Sequence, residues 1–155
     1  MGLAKGDGVF STMESKVHRK ILFVILMASG GALAHGDVVP QAVDTARLPA
    51  LGDAWRETNP YRGDSAAVDI GASAYNQNCA RCHGLEAISG GIAPDLRRLD
   101  LAPDTDEYFV QSVRRGKIRN GMTYMPPFEG VLNQEAVWAI KAYLETRRGS
   151  LAASR

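Results

Sequence analysis

Residues 79–83 are Cys-Ala-Arg-Cys-His, and no other segment restricts the fold of this chain as tightly. Cysteines three positions apart on a helical turn lie on neighbouring sides of one face, and the histidine after them is delivered beside the pair. This is the haem-attachment pattern: Cys79 and Cys82 reach the two vinyl groups along one edge of the macrocycle, and His83 becomes an iron ligand. Two other chemistries use paired cysteines. A thioredoxin-like redox pair needs its Cys-x-x-Cys at a helix start in a βαβ setting, and no strand-like alternation precedes Cys79. A structural zinc needs four ligands. Beyond the N-terminal segment, the chain offers no further cysteine and only His35 besides His83.

The sixth iron position decides what such a site does. An open position takes oxygen and other small molecules, as in a haem enzyme or a gas-binding sensor, whereas a second protein ligand closes the iron for electron transfer. The segment Arg119-Asn120-Gly121-Met122-Thr123-Tyr124-Met125-Pro126-Pro127-Phe128 carries two methionines, and no histidine follows His83. Met125 is the preferred ligand, because two prolines after it stiffen the backbone that aims its thioether. Met122 is the competitor, and a core methionine without an iron bond is the alternative for either. Bis-histidine ligation would call on His35, close to a chain end.

The N-terminal segment is set aside before the core is counted. Lys16, Arg19 and Lys20 precede the apolar run Ile21 to Ala28, and Ala32-Leu33-Ala34 follows, which predicts a secretory signal peptide over residues 1–34, cleaved before His35. The run is too short to span a bilayer. Met13 is an alternative start that would make residues 1–12 a misassigned extension. Removing residues 1–34 takes four cations and two anions from the chain's 18 and 17, which leaves the remaining residues near neutrality. Together with the lack of a basic stripe, this argues against nucleic acid as a partner.

Three helices place these motifs. The first is expected from about Ser65 to Cys79, capped by Asp64 or Ser65, with Val68, Ala72, Tyr75, Cys79 and Cys82 on one apolar face. The second is expected from about Thr105 to Arg115, with Asp104 and Glu107 as a capping-box-like pair, Phe109, Val110 and Val113 toward the core, and Gly116 as the stop. The third is expected from about Gln134 to Arg148, capped by Asn133, with Val137, Ile140 and Leu144 as its stripe and Arg147 and Arg148 complementing the dipole. No segment shows convincing strand alternation. Residues 35–63, with Pro40, Pro49 and Pro60, form an extended arm that Trp55 and Tyr61 pin to the helical body. Residues 64–149 form the main domain and 150–155 a flexible tail. Arg114, Arg115, Lys117 and Arg119 make a local cationic run, either a docking patch for an acidic partner or a helix end whose cations suit the dipole.

With these landmarks placed, residues from about Ala66 to Arg147 resemble the class I cytochrome c family. Gly71 and Tyr75 lie eight and four residues before Cys79, as a small residue and an aromatic do on that family's first helix, and Ile140 and Tyr143-Leu144 resemble the face of its last helix. The resemblance implies an all-α fold of three main helices around one covalently bound haem c, with the last helix crossing the first where Gly71 allows close approach. Ala93-Pro94-Asp95-Leu96 is similar to the family's Pro-x-Leu segment, which implies that the Pro94 carbonyl accepts the far ring proton of His83 and that Leu96 packs on the haem. Met125-Pro126 is similar to its ligand loop.

At a finer level the chain resembles small periplasmic cytochromes that accept electrons from PQQ-dependent alcohol dehydrogenases, on His35-Gly36-Asp37-Val38, Leu51-Gly52-Asp53-Ala54-Trp55, Asn59-Pro60-Tyr61-Arg62 and the methionine loop. That implies a monomeric electron carrier rather than an enzyme. It would have no stable membrane insertion, a quinoprotein (ethanol) dehydrogenase as donor, and a terminal oxidase or another cytochrome as acceptor.

Overall fold

In the computed structural model of the chain, residues 1–2, 39–148 and 150 are described. Nearly all of the expected signal segment, the arm's first residues 35–38 with His35, and nearly all of the tail lie outside the described residues. Among the described residues the helices are α1 (Ser65–Asn78), α2 (Ala80–His83), α3 (Asp106–Arg115) and α4 (Gln134–Arg148). Short 3₁₀ turns occupy Leu85–Ala87, Leu96–Arg98 and Pro103–Thr105. The expected all-α class therefore holds, with one correction: Lys117–Arg119 (β1) and Met122–Met125 (β2) pair as an antiparallel hairpin.

Helix α1 starts where Asp64 accepts a hydrogen bond from the Ala67 N–H at 3.0 Å, which satisfies one of the orphan donors of a helix start. Its fully buried stripe is Ala67, Ile70, Gly71, Ala74, Tyr75 and Asn78. Val68 and Ala72 lie at the half-buried edge of that stripe. The stripe is offset from the expected one because α4 crosses α1 at Gly71. A Cβ built on Gly71 would lie 1.9 Å from the Ala139 carbonyl oxygen, so the two backbones touch where no side chain fits.

Asn133 caps α4, accepting from the Ala136 N–H at 2.9 Å. Instead of one stripe, α4 is buried all round from Ala136 to Leu144, Lys141 included. The arm accounts for this. Leu48 and Tyr61 are buried in the same core, and the Tyr61 hydroxyl donates to the Pro49 carbonyl. Leu51 N–H donates to Glu135 at 2.7 Å, and Asn59 Nδ2 donates to the Trp138 carbonyl at 3.2 Å. Asn78 closes the arm's far end, accepting from the Gln41 N–H at 2.7 Å and donating to its carbonyl at 3.1 Å.

The capping pair expected at Asp104 and Glu107 does not form: helix α3 begins one residue later than Thr105, without a side-chain cap. The Thr105 hydroxyl instead bonds back to the Ala102 carbonyl at 2.7 Å, closing the turn that Pro103 starts. Phe109, Val110 and Val113 are buried as expected, and Gly116, at φ +67°, ends the helix. Among the described residues no helix is long and apolar enough to cross a membrane.

Candidate metal centre

Helix α1 and the short α2 meet at Cys79, where the chain is αR but the hydrogen-bond ladder restarts: the Cys79 carbonyl accepts from both Cys82 N–H (3.1 Å) and His83 N–H (2.9 Å). One turn thus carries both thiols and the imidazole. The two cysteines are free thiols, not a disulfide. Burial, with Cys82 beside it, pushes the Cys79 thiol up to about 12. A thioredoxin-type nucleophile needs a shift in the opposite direction, toward the thiolate.

His83 Nδ1 lies 2.8 Å from the Pro94 carbonyl oxygen. A carbonyl only accepts, so Nδ1 carries the proton, and the Nε2 lone pair is left for a metal. The segment that carries Pro94 is itself tied. Ser89 donates to the Ala93 carbonyl and accepts from the Gly91 N–H at 3.0 Å, and Asp95 accepts from Arg97 through its backbone N–H and its guanidinium, each at 3.0 Å. The Arg97 pairing holds the Asp95 carboxyl below its ordinary value. Leu96, the next residue, is half-buried and packs against the core.

Behind the motif, the fully buried Tyr75 donates its hydroxyl to the Gly84 carbonyl at 2.8 Å. Burial raises its pKa far above the ordinary tyrosine value, so it remains a donor. Gly84 has φ +81°, and a Cβ there would meet the Ile88 carbonyl at 1.8 Å, so the chain leaves the histidine by a turn open only to glycine. The sequence reading places Tyr75 on the apolar face of the first helix. Its hydrogen bond to the residue after His83 had no signal in the spacing.

Met125 ends β2, half-buried against the core, while Met122 is 58% exposed on the same hairpin. Asn120 (φ +51°) and Gly121 (φ +75°) supply the two left-handed residues of a two-residue hairpin turn. The register pairs Lys117 with Met125 and Arg119 with Met122, with a bulge after Lys117. Gly116 lets the methionine segment lie against the end of α3, since a Cβ there would meet the Met125 carbonyl at 2.3 Å.

These residues fit a haem. The donor set is two free thiols on one turn, an imidazole with its metal-binding nitrogen free, and a half-buried thioether. Ile88, Ile92, Ile118 and Tyr124, in the segments that follow the motif and on the hairpin, are 47%, 82%, 64% and 64% exposed. That is apolar surface a flat macrocycle would remove from water. Among the described residues no group of three or more His, Cys, Asp or Glu side chains converges to hold a bare metal ion.

The family model described as cytochrome c oxidase, cbb3-type, subunit III matches residues 66–144. Cytochrome c550 of Pseudomonas aeruginosa is 59% identical over 125 residues, 78% of this chain and 86% of that protein. Quinohemoprotein alcohol dehydrogenase ADH-IIG of Pseudomonas putida is 32% identical over 96% of this chain, yet the chain spans only 19% of that protein. The solved structure of ADHIIG from Pseudomonas putida HK5 superposes with a TM-score of 0.50 over 68% of this chain and 15% of that one. A family match from α1 through most of α4, and a relative aligned over nearly all its length, show that the chain belongs to the class I cytochrome c family and is an electron carrier.

Proposed function

We propose that this cytochrome is a periplasmic carrier taking single electrons from a PQQ-dependent alcohol dehydrogenase and passing them to a terminal oxidase or another cytochrome. In this reading Cys79 and Cys82 would hold one haem c covalently, His83 Nε2 and Met125 Sδ would bind its iron, the Pro94 carbonyl would orient His83 and Leu96 would pack on the macrocycle. The bound haem supplies a reversible ferric/ferrous couple, and His/Met ligation raises its potential. The Pro94 carbonyl fixes the imidazole plane and strengthens it as a donor. Met125, at the end of a paired strand and before two prolines, keeps small molecules from the iron. No side chain acts as acid, base or nucleophile.

The observation that carries this reading is the His83–Pro94 hydrogen bond at 2.8 Å, which leaves one nitrogen for iron on the same turn as two free thiols. The donor is supported by the likeness of 96% of the chain to part of quinohemoprotein alcohol dehydrogenase ADH-IIG and of 68% of it to part of the solved ADHIIG structure. The match to a cbb3-type oxidase subunit supports an oxidase on the acceptor side. Rapid mixing of substrate-reduced quinoprotein alcohol dehydrogenase with the ferric cytochrome tests the partner. Haem reduction within seconds, two cytochromes per quinol, is the expected result. No reduction, while a dye acceptor still discharges the same enzyme, would overturn the assignment.

The ligand choice has its own test. Met125→Ala is expected to abolish the methionine-to-iron charge-transfer band of the ferric protein and lower its potential, while Met122→Ala, at an exposed hairpin position, does neither. Ferric spectra and redox titration decide it, and the reverse pattern would transfer the role to Met122.

A further inference from the structure

A single arginine ties the methionine segment to the N-terminal arm. Arg114, the penultimate residue of α3, has its guanidinium 4.5 Å from the Trp55 ring centroid and also pairs with the Glu129 carboxylate. The backbone reinforces the second contact: the Val113 and Arg114 carbonyls accept from the Phe128 and Glu129 N–H groups at 3.1 and 3.2 Å. The backbone flanking Trp55 is held by α4. Gln134 accepts from the Arg56 N–H at 3.2 Å and donates to the Ala54 carbonyl at 3.1 Å, gripping the backbone on both sides of the ring. Between Glu129 and Met125 lie Phe128, which is buried, and the stiff Pro126-Pro127 step.

The Glu129 side chain is 54% exposed. Alone, such an ion pair holds little, because two long side chains must be ordered in high dielectric. The face of Trp55 changes that by fixing the guanidinium over its negative quadrupole, so that the arginine is already placed when Glu129 meets it. Displacing the ring frees the Arg114 side chain and loosens the segment that follows Met125, which then rests on the two backbone hydrogen bonds alone.

We propose that Trp55 is a positioning residue for the iron–methionine bond: through Arg114 and Glu129, the arm sets how firmly Met125 is held at the iron. The inference rests on Met125 being the sixth ligand.

Competition by imidazole for the ferric iron of the haem-loaded protein, followed by loss of the methionine charge-transfer band, tests it. Trp55→Ala should tighten imidazole binding about fivefold, the scale of one cation–π contact. Glu129→Gln should act in the same direction, and the double variant should add less than about twofold to either, since both break one chain of contacts. Trp55→Phe, which keeps an aromatic face, should stay within about twofold of the unaltered protein. Tyr61→Phe, which loses the bond to Pro49 away from Arg114, should lower Tm and leave imidazole affinity unchanged. Unchanged affinity in Trp55→Ala and Glu129→Gln, or an equal gain in Tyr61→Phe, would overturn the proposal. A charge-transfer band that survives in Met125→Ala would instead overturn the ligand assignment beneath it.

Discussion

Asp106→Ala is expected to destabilise the haem-loaded protein by about 3–5 kcal/mol, the scale seen when one partner of a buried ion pair is removed. Asp106 and Lys141 are both fully buried and paired, and the same carboxylate accepts from the Asn59 N–H at 2.6 Å and from the Arg62 guanidinium at 3.0 and 3.1 Å. Without Asp106, the Lys141 ammonium keeps the Leu101 carbonyl at 3.4 Å as its hydrogen-bond partner among the described residues, with the Phe109 ring at 5.8 Å and the Glu145 charge nearby. The arm loses its grip as well, because Asn59 and Arg62 are the points where it enters the cluster. Denaturant titration measures the loss, about a third of the stability typical of a small domain. The double variant Asp106→Leu, Lys141→Met should recover only the part that comes from the unpaired ammonium, since the Asn59 N–H and the Arg62 guanidinium still lose their acceptor. A loss below about 1 kcal/mol in Asp106→Ala would show that the cluster does not hold the arm.

Gly71→Ala is the second large effect, and its sign separates two influences. Helix propensity alone favours alanine over glycine inside a helix by about 1 kcal/mol. The crossing opposes it: the added Cβ would stand 1.9 Å from the Ala139 carbonyl oxygen and 2.4 Å from its carbon, so α4 must retreat by more than an ångström. Overpacking of this kind costs roughly 1–3 kcal/mol and occasionally more, and a backbone neighbour, which cannot swing aside, puts this site at the upper end. It also strips contact from Tyr75 and Tyr143, whose rings lie 5.4 Å apart beside the crossing. Gly90→Ala is the control, with open space around the new atom. Thermal unfolding should place Gly71→Ala far below the control, and equal Tm values would contradict the close crossing.

What was legible in the sequence divides by range. The helix that carries the motif, the Asp64 and Asn133 caps and the Gly116 stop depend on residues within a turn of one another. Gly71 was legible only through family resemblance, since nothing local distinguishes a glycine under a carbonyl from one in open space. The β1–β2 hairpin went unseen because strands of three and four residues are too short to show alternation. The Asn120-Gly121 dipeptide was the available signal. Lys141 was indistinguishable from a solvated helix residue, because its partner is 35 positions away and Arg62 reaches that partner across 44. The Trp55–Arg114–Glu129 contacts are hidden in the same way. Arg114 belongs to a run that reads as a docking patch or a helix end, and here it joins the arm to the methionine segment.

Exposure of the ferrous protein to carbon monoxide tests the closed, six-coordinate carrier site most directly. At neutral pH the Soret band should remain unchanged for minutes, while Met125→Ala shifts on mixing. Immediate carbon monoxide binding by the unaltered protein would contradict Met125 ligation and move the site to the open-iron class of haem proteins.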